Sequence, residues 1–128
     1  MIWVEVVTLF ALLEYFLFAA AVGQARGRYG IKAPATTGHE VFERYFRVQQ
    51  NTLELLVLFL PALWLAARYW PPAWLAAIGA VYLVGRLVYF RSYVHEPASR
   101  SLGFGLSIVP TVALWLAAAA GVVRALLA

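Results

Sequence analysis

The chain has 128 residues, 64% of them apolar and only 12% charged, with a formal charge of +4. A soluble domain carries roughly 25% charged residues, so this chain cannot clothe a core in polar groups, and lipid is its expected solvent. The charge is too small and too dispersed for a nucleic-acid binder, and the absence of cysteine excludes disulfides, a cysteine nucleophile and thiolate metal sites; any thiol chemistry must use a thiol brought by a substrate.

Four segments are long and apolar enough to span a bilayer, which takes about 20 residues. The first runs from Ile2 to Val22 and contains Glu5 and Glu14; the second runs from about Val48 to Ala67. The third, Trp74 to Phe90, contains Arg86, and the fourth, Leu102 to Val123, contains Pro110, where a kink is expected. Membrane-strand alternation is absent and alanine and leucine dominate, so the expected fold is an all-α membrane protein: a four-transmembrane-helix bundle, with residues 1–128 as one domain. No basic residue precedes the first apolar run and two glutamates lie within it, unlike a signal peptide, so it is expected to be retained.

Basic residues between the spans set the orientation. The first loop, Gly23 to Arg47, holds Arg26, Arg28, Lys32, Arg44 and Arg47, and the third, Arg91 to Ser101, adds Arg91 and Arg100. The second connection has only Arg68, beside Trp70-Pro71-Pro72, and the C-terminus only Arg124. Loops one and three are therefore expected in the cytoplasm, with Trp3, Trp70 and Trp74 as interface anchors on the other side.

Polar residues at the mouth of the second span are the best candidates for a site. Arg47, Asn51 and Glu54 stand at i, i+4 and i+7 on one helical face, with Arg44 three residues earlier. Gln49 falls off that stripe, so it could face a neighbouring helix or subunit. Two readings stand: Arg47 and Glu54 pair with other spans to fix packing, or the stripe lines a binding cavity, since charge at membrane depth points into protein or a polar cavity. Tyr82, Arg86, Tyr89 and Tyr93 form a second stripe on one face of the third span. A site gathering Arg26, Arg47, Arg100, Asn51, Glu54, Tyr89 and Tyr93 would suit an anionic ligand with an amino group: arginines take carboxylates, Glu54 the ammonium and Asn51 an amide. Glu14 is expected to pair with Arg86, or else to serve proton-coupled transport. His39 and His95, beside Glu40 and Glu96, lack a metal-ligand spacing, so no metal is expected.

The pattern Glu43-Arg44-x-x-Arg47-x-x-x-Asn51-x-x-Glu54 resembles the signature of the MAPEG superfamily, the membrane-associated proteins in eicosanoid and glutathione metabolism. The run Pro34-Ala-Thr-Thr-Gly-His-Glu-Val-Phe-Glu-Arg44 resembles the segment before that signature in the leukotriene-synthase branch. Leu58-Phe-Leu-Pro-Ala-Leu-Trp64 and Val81-Tyr-Leu-Val-Gly-Arg-Leu-Val-Tyr-Phe90 extend the likeness. The resemblance implies a homotrimer in a bacterial inner membrane, binding glutathione as co-substrate between subunits. It places Arg47, Asn51, Glu54, Tyr89 and Tyr93 at glutathione-contacting positions, Arg26 and Gln49 at positions contributed by the neighbouring subunit, and Arg100 at the arginine that stabilises the thiolate. The implied activity is a detoxifying glutathione transfer to hydrophobic electrophiles, with peroxide reduction a further activity the family allows. Leu55, Gly27 and Val48 depart from that branch, which has tyrosine, arginine and alanine there. Two other functions stay open: a non-catalytic lipid-binding scaffold of the same fold, and a four-span proton-coupled exporter using Glu14.

Overall fold

The computed structural model describes all of residues 1–128. Four helices follow one another: α1 (Ile2–Tyr29), α2 (Glu40–Ala67), α3 (Pro72–His95) and α4 (Ser101–Leu127), with a short 3₁₀ turn at Pro97–Ser99 before the last. Each is long and apolar enough to cross a membrane. At about 1.5 Å per residue, helices of 24 to 28 residues exceed a ~30 Å hydrocarbon layer. Consequently Arg26, Arg28, Arg44 and Arg47, assigned to a loop by composition, are helical. The first connection shrinks to residues 30–39 because each flanking helix carries its own end signal. Gly30 terminates α1 in the left-handed conformation with its N–H on the Arg26 carbonyl, and the His39 ring accepts from the Val41 N–H to start α2.

α2 and α3 form the centre; each packs against both α1 and α4, and they pack against each other. The main core runs from Val4, Val7 and Ala11 of α1 through Leu55, Leu56, Phe59 and Leu63 of α2 to Leu75 and Tyr82 of α3 and Leu114 of α4. Phe59 and Tyr82 stack face to face with ring centroids 3.8 Å apart. Outward faces are apolar too: Phe16, Val57, Trp74, Trp115 and Leu126 are all exposed, as lipid contact requires. Trp3 and Trp74 are exposed, whereas Trp70 is half-buried and donates to the Ala117 carbonyl at 2.7 Å. That bond, and Arg124 donating to the Tyr69 carbonyl at 3.3 Å, tie the α2–α3 turn to α4.

Close approach between α3 and α4 depends on two glycines. A Cβ on Gly85 would lie 2.6 Å from the Leu106 carbonyl carbon and 2.7 Å from its oxygen. That oxygen is the one Pro110 leaves without its helical N–H partner. α4 nevertheless runs unbroken through Pro110 from Ser101 to Leu127, and Pro61 sits inside α2 in the same way. Ser107 and Thr111 donate back to the carbonyls four residues earlier, Gly103 and Ser107. One turn nearer the α4 start, a Cβ on Gly103 would meet the Tyr89 backbone. Backbone cannot move aside as a flexible side chain can. Gly85→Val and Gly103→Val should therefore each cost about 1–3 kcal/mol or more, whereas Gly23→Ala, which meets nothing within 4 Å, should not destabilise; thermal unfolding in detergent measures the difference.

Candidate functional site

The α2 N-terminus is anchored against the α3 C-terminus by Arg44. Its Nη1 donates to the carbonyls of Val94 and His95, each at 3.2 Å, and its Nη2 meets Glu40 at 2.7 Å in the only ion pair of the chain. One turn along α2, Arg47 is exposed and makes no hydrogen bond within the chain, so its guanidinium is available. Val48, beside it, is wholly buried with Phe18 and Tyr89, which fixes the rotation of α2 and turns Arg47 outward. On α3, Tyr89 and Tyr93 stack with centroids 5.4 Å apart, and the Tyr89 ring lies against Phe104 of α4 at 6.4 Å. Arg47 adjoins Val48, which packs on Tyr89, and Arg100 stands one turn before Phe104, which borders the same ring. Residues from α2, α3 and the α3–α4 connection thus form one cationic, hydroxyl-bearing group. Arg100 is exposed and otherwise reaches only the Pro97 carbonyl, at 3.5 Å.

Below this group lies a buried polar centre. The guanidinium of Arg86, fully enclosed, donates from Nη1 to Asn51 Oδ1 at 2.8 Å and packs 4.4 Å from the Tyr89 ring centroid. Glu14 of α1 and Tyr82 of α3 are buried inside the bundle as well. The expected Glu14–Arg86 contact is not made within 4.0 Å. Arg86 is held instead by Asn51 and by the face of Tyr89, and one Glu14 oxygen, the Tyr82 hydroxyl and the remaining guanidinium nitrogens are buried without a partner. The Asn51–Arg86 bond was legible in principle: both are polar groups inside apolar spans, and such groups find each other. Assigning the arginine to the nearest acid concealed it.

The other sequence candidates lie apart. Arg26 stays with its own connection, donating to the Ala35 carbonyl at 2.7 Å and covering the Phe42 ring at 5.1 Å. Gln49 is half-buried without a side-chain hydrogen bond. Glu54 is exposed on α2 among Leu53, Val57 and Leu58, also exposed, and has no partner in the chain. Leu55 is in the core. His39 serves as the α2 cap rather than converging with His95. The polar face is open rather than a closed cavity. A groove of about 450 Å³ lies alongside instead, between α3 and α4, lined by Ile78, Val81, Leu102, Leu106 and Val109 and beginning at Ser101 next to Arg100.

A basic, tyrosine-bearing face on α2 and α3, at the end of a four-span bundle, is the arrangement that the signature residues create. The chain matches the MAPEG family model over residues 4–120. It belongs to the MAPEG family. An integral, multi-pass membrane protein follows from that membership and the four apolar helices. Microsomal glutathione S-transferase 2 of Homo sapiens is 36% identical over 121 residues, which are 94% of this chain and 82% of that protein. Leukotriene C4 synthase of Cavia porcellus is 38% identical over 110 residues, 86% of this chain and 71% of that protein. An uncharacterized protein of Synechocystis is 44% identical over 114 residues, 89% and 83% of the two chains.

The tyrosine hydroxyls on this MAPEG face contribute little to folding, because neither Tyr89 nor Tyr93 bonds through its hydroxyl within the chain while their rings stack. Tyr89→Phe and Tyr93→Phe should each leave thermal unfolding within about 1 kcal/mol of the parent. A larger loss would assign the hydroxyls a structural task.

Proposed function

We propose that this MAPEG protein is a glutathione transferase that joins glutathione, as thiolate, to hydrophobic electrophiles dissolved in the bilayer. The observation that carries this reading is the stacked Tyr89–Tyr93 pair, bordered by Val48 next to the exposed Arg47 on α2 and by Phe104 one turn after the exposed Arg100. Glutathione offers two carboxylates, an ammonium and peptide carbonyls. Arg47 and the tyrosines take the carboxylates and carbonyls, Asn51 reads an amide and Glu54 takes the ammonium. The name of one relative, a microsomal glutathione S-transferase, supports the same ligand.

In this reading residues 1–128 act as one four-helix domain, and three copies assemble. Glu54, Leu53 and Val57 are exposed together at membrane depth, where a lone carboxylate facing lipid is costly, so a second copy covering this face accounts for their exposure. Arg26 and Gln49, which lie apart from the group within one chain, then enter the site from the neighbour. Loops one and three, with their arginines, face the cytoplasm.

The chemistry needs few groups. A free cysteine-type thiol ionises near pH 8.5, leaving little thiolate at neutral pH. Arg100, next to the bound sulfur, favours the charged form, and the proton leaves to water. The thiolate pair forms the sulfur–carbon bond, and a displaced halide departs with its own bonding pair. Holding both reactants together supplies the remaining advantage. The apolar groove beginning at Ser101 is placed to take the acceptor's hydrocarbon.

Arg100→Ala should keep glutathione binding within a few fold, abolish most of the rise in thiolate ultraviolet absorbance, and lower conjugation of a chlorinated aromatic acceptor about 100-fold or more. Unchanged conjugation would remove Arg100 as activator. A parent protein that binds glutathione but never forms thiolate would favour the scaffold alternative, towards which Leu55 and Gly27 lean. Conjugation that survives Glu14→Gln is expected as well, against the exporter reading.

A further inference from the structure

The buried centre contains an element that the glutathione reading alone leaves without a task. Arg86 has five N–H donors and no acceptor, so the Asn51 atom 2.8 Å from its Nη1 is the amide oxygen. The Asn51 NH₂ group must then face the opposite way. It makes no hydrogen bond within the chain and is not enclosed, as Asn51 is only half-buried and its nitrogen is absent from the buried unpartnered atoms. A free asparagine side chain presents donor or acceptor by a half-turn; this one cannot. Meanwhile Arg86 carries a full charge in the bundle interior, where an unneutralised charge is costly. The one acid of α1 inside the bundle, Glu14, has a buried oxygen without a partner and makes no ion pair with that charge. The nearby Tyr82 hydroxyl is buried and unpartnered as well.

We propose that Arg86, by occupying the Asn51 oxygen, commits the Asn51 amide to donate, so that Asn51 binds only a carbonyl or carboxylate oxygen of the ligand. Arg86 is the positioning residue, and of the two only Asn51 touches the ligand. The inference rests on the reading of this face as the glutathione site. It adds which atom of Asn51 is offered and what fixes it.

The test uses the full-length protein in detergent, with glutathione as probe and binding measured by calorimetry. Asn51→Ala and Arg86→Met should each weaken binding about tenfold or more. Their combination should be no weaker than the worse of the two, because Arg86 acts only through Asn51. A double variant that loses the product of both effects, or an Arg86→Met protein that binds like the parent, overturns the proposal. If Arg86→Met does not fold, Asn51→Asp decides: it keeps an oxygen for Arg86 but offers no N–H donor, so it should bind glutathione about tenfold or more weaker, and parent-like binding overturns the proposal. Arg86→Lys, which keeps a donor and the charge, should recover part of the affinity. A parent protein that binds no glutathione removes the reading of the site itself and the task of Asn51 with it.

Discussion

A guanidinium held wholly inside a membrane bundle constrains everything around it. Arg86 has no water to solvate it, and a charge left unsatisfied there would cost several kcal/mol. The fold answers with two neighbours: the Asn51 oxygen from α2 and the face of Tyr89 from its own helix. These contacts set the rotation of α2 and α3 against each other. Arg47 and Tyr93 share faces with Asn51 and Tyr89, so the same rotation gathers the polar group at the bundle end. The outer site is thus a consequence of how the inner charge is satisfied.

Close helix approach is the second condition. α3 meets α4 where glycine removes the side chain, at Gly85 and Gly103, and in both places the opposing atoms are backbone. Between helices in lipid the hydrophobic effect gives no net drive, because lipid tails are as apolar as leucine; association relies on tight packing and on polar contacts. At Gly103 the two conditions join. The α4 backbone lies against the backbone of Tyr89, so the residue that stacks on Tyr93 and packs under Arg86 is clamped from both sides. Phe104 then borders the same ring, and Arg100, one turn earlier, is delivered beside it.

Much of one protomer's surface has no internal explanation. Glu54 is exposed among apolar neighbours, Arg47 has no partner, and the polar face closes no cavity of its own. The proposed trimer accounts for all three, since a second copy would cover the apolar residues and complete the polar ones. The groove between α3 and α4 differs: it is lined almost entirely by apolar side chains and begins at Ser101, next to Arg100.

Composition and periodicity by themselves determined the solvent, the number of spans and the residues of the two polar stripes, because 64% apolar content and helical spacing are local properties that need no partner. The signature from Glu43 to Glu54 was likewise sufficient to mark the family. Helix ends were less legible: Arg26 and Arg47 seemed to belong to a loop because charge marks the membrane surface, whereas helices continue beyond it until a cap such as Gly30 or His39 stops them. Only the tertiary structure decided the pairing of Asn51 with Arg86. Spacing places a residue on a face of its own helix; which neighbour that face meets depends on how four helices rotate and how closely glycines let them approach. Glu14, two spans earlier in the chain, is the chemically obvious partner for the arginine, and the bundle geometry brings the Asn51 amide oxygen to it instead.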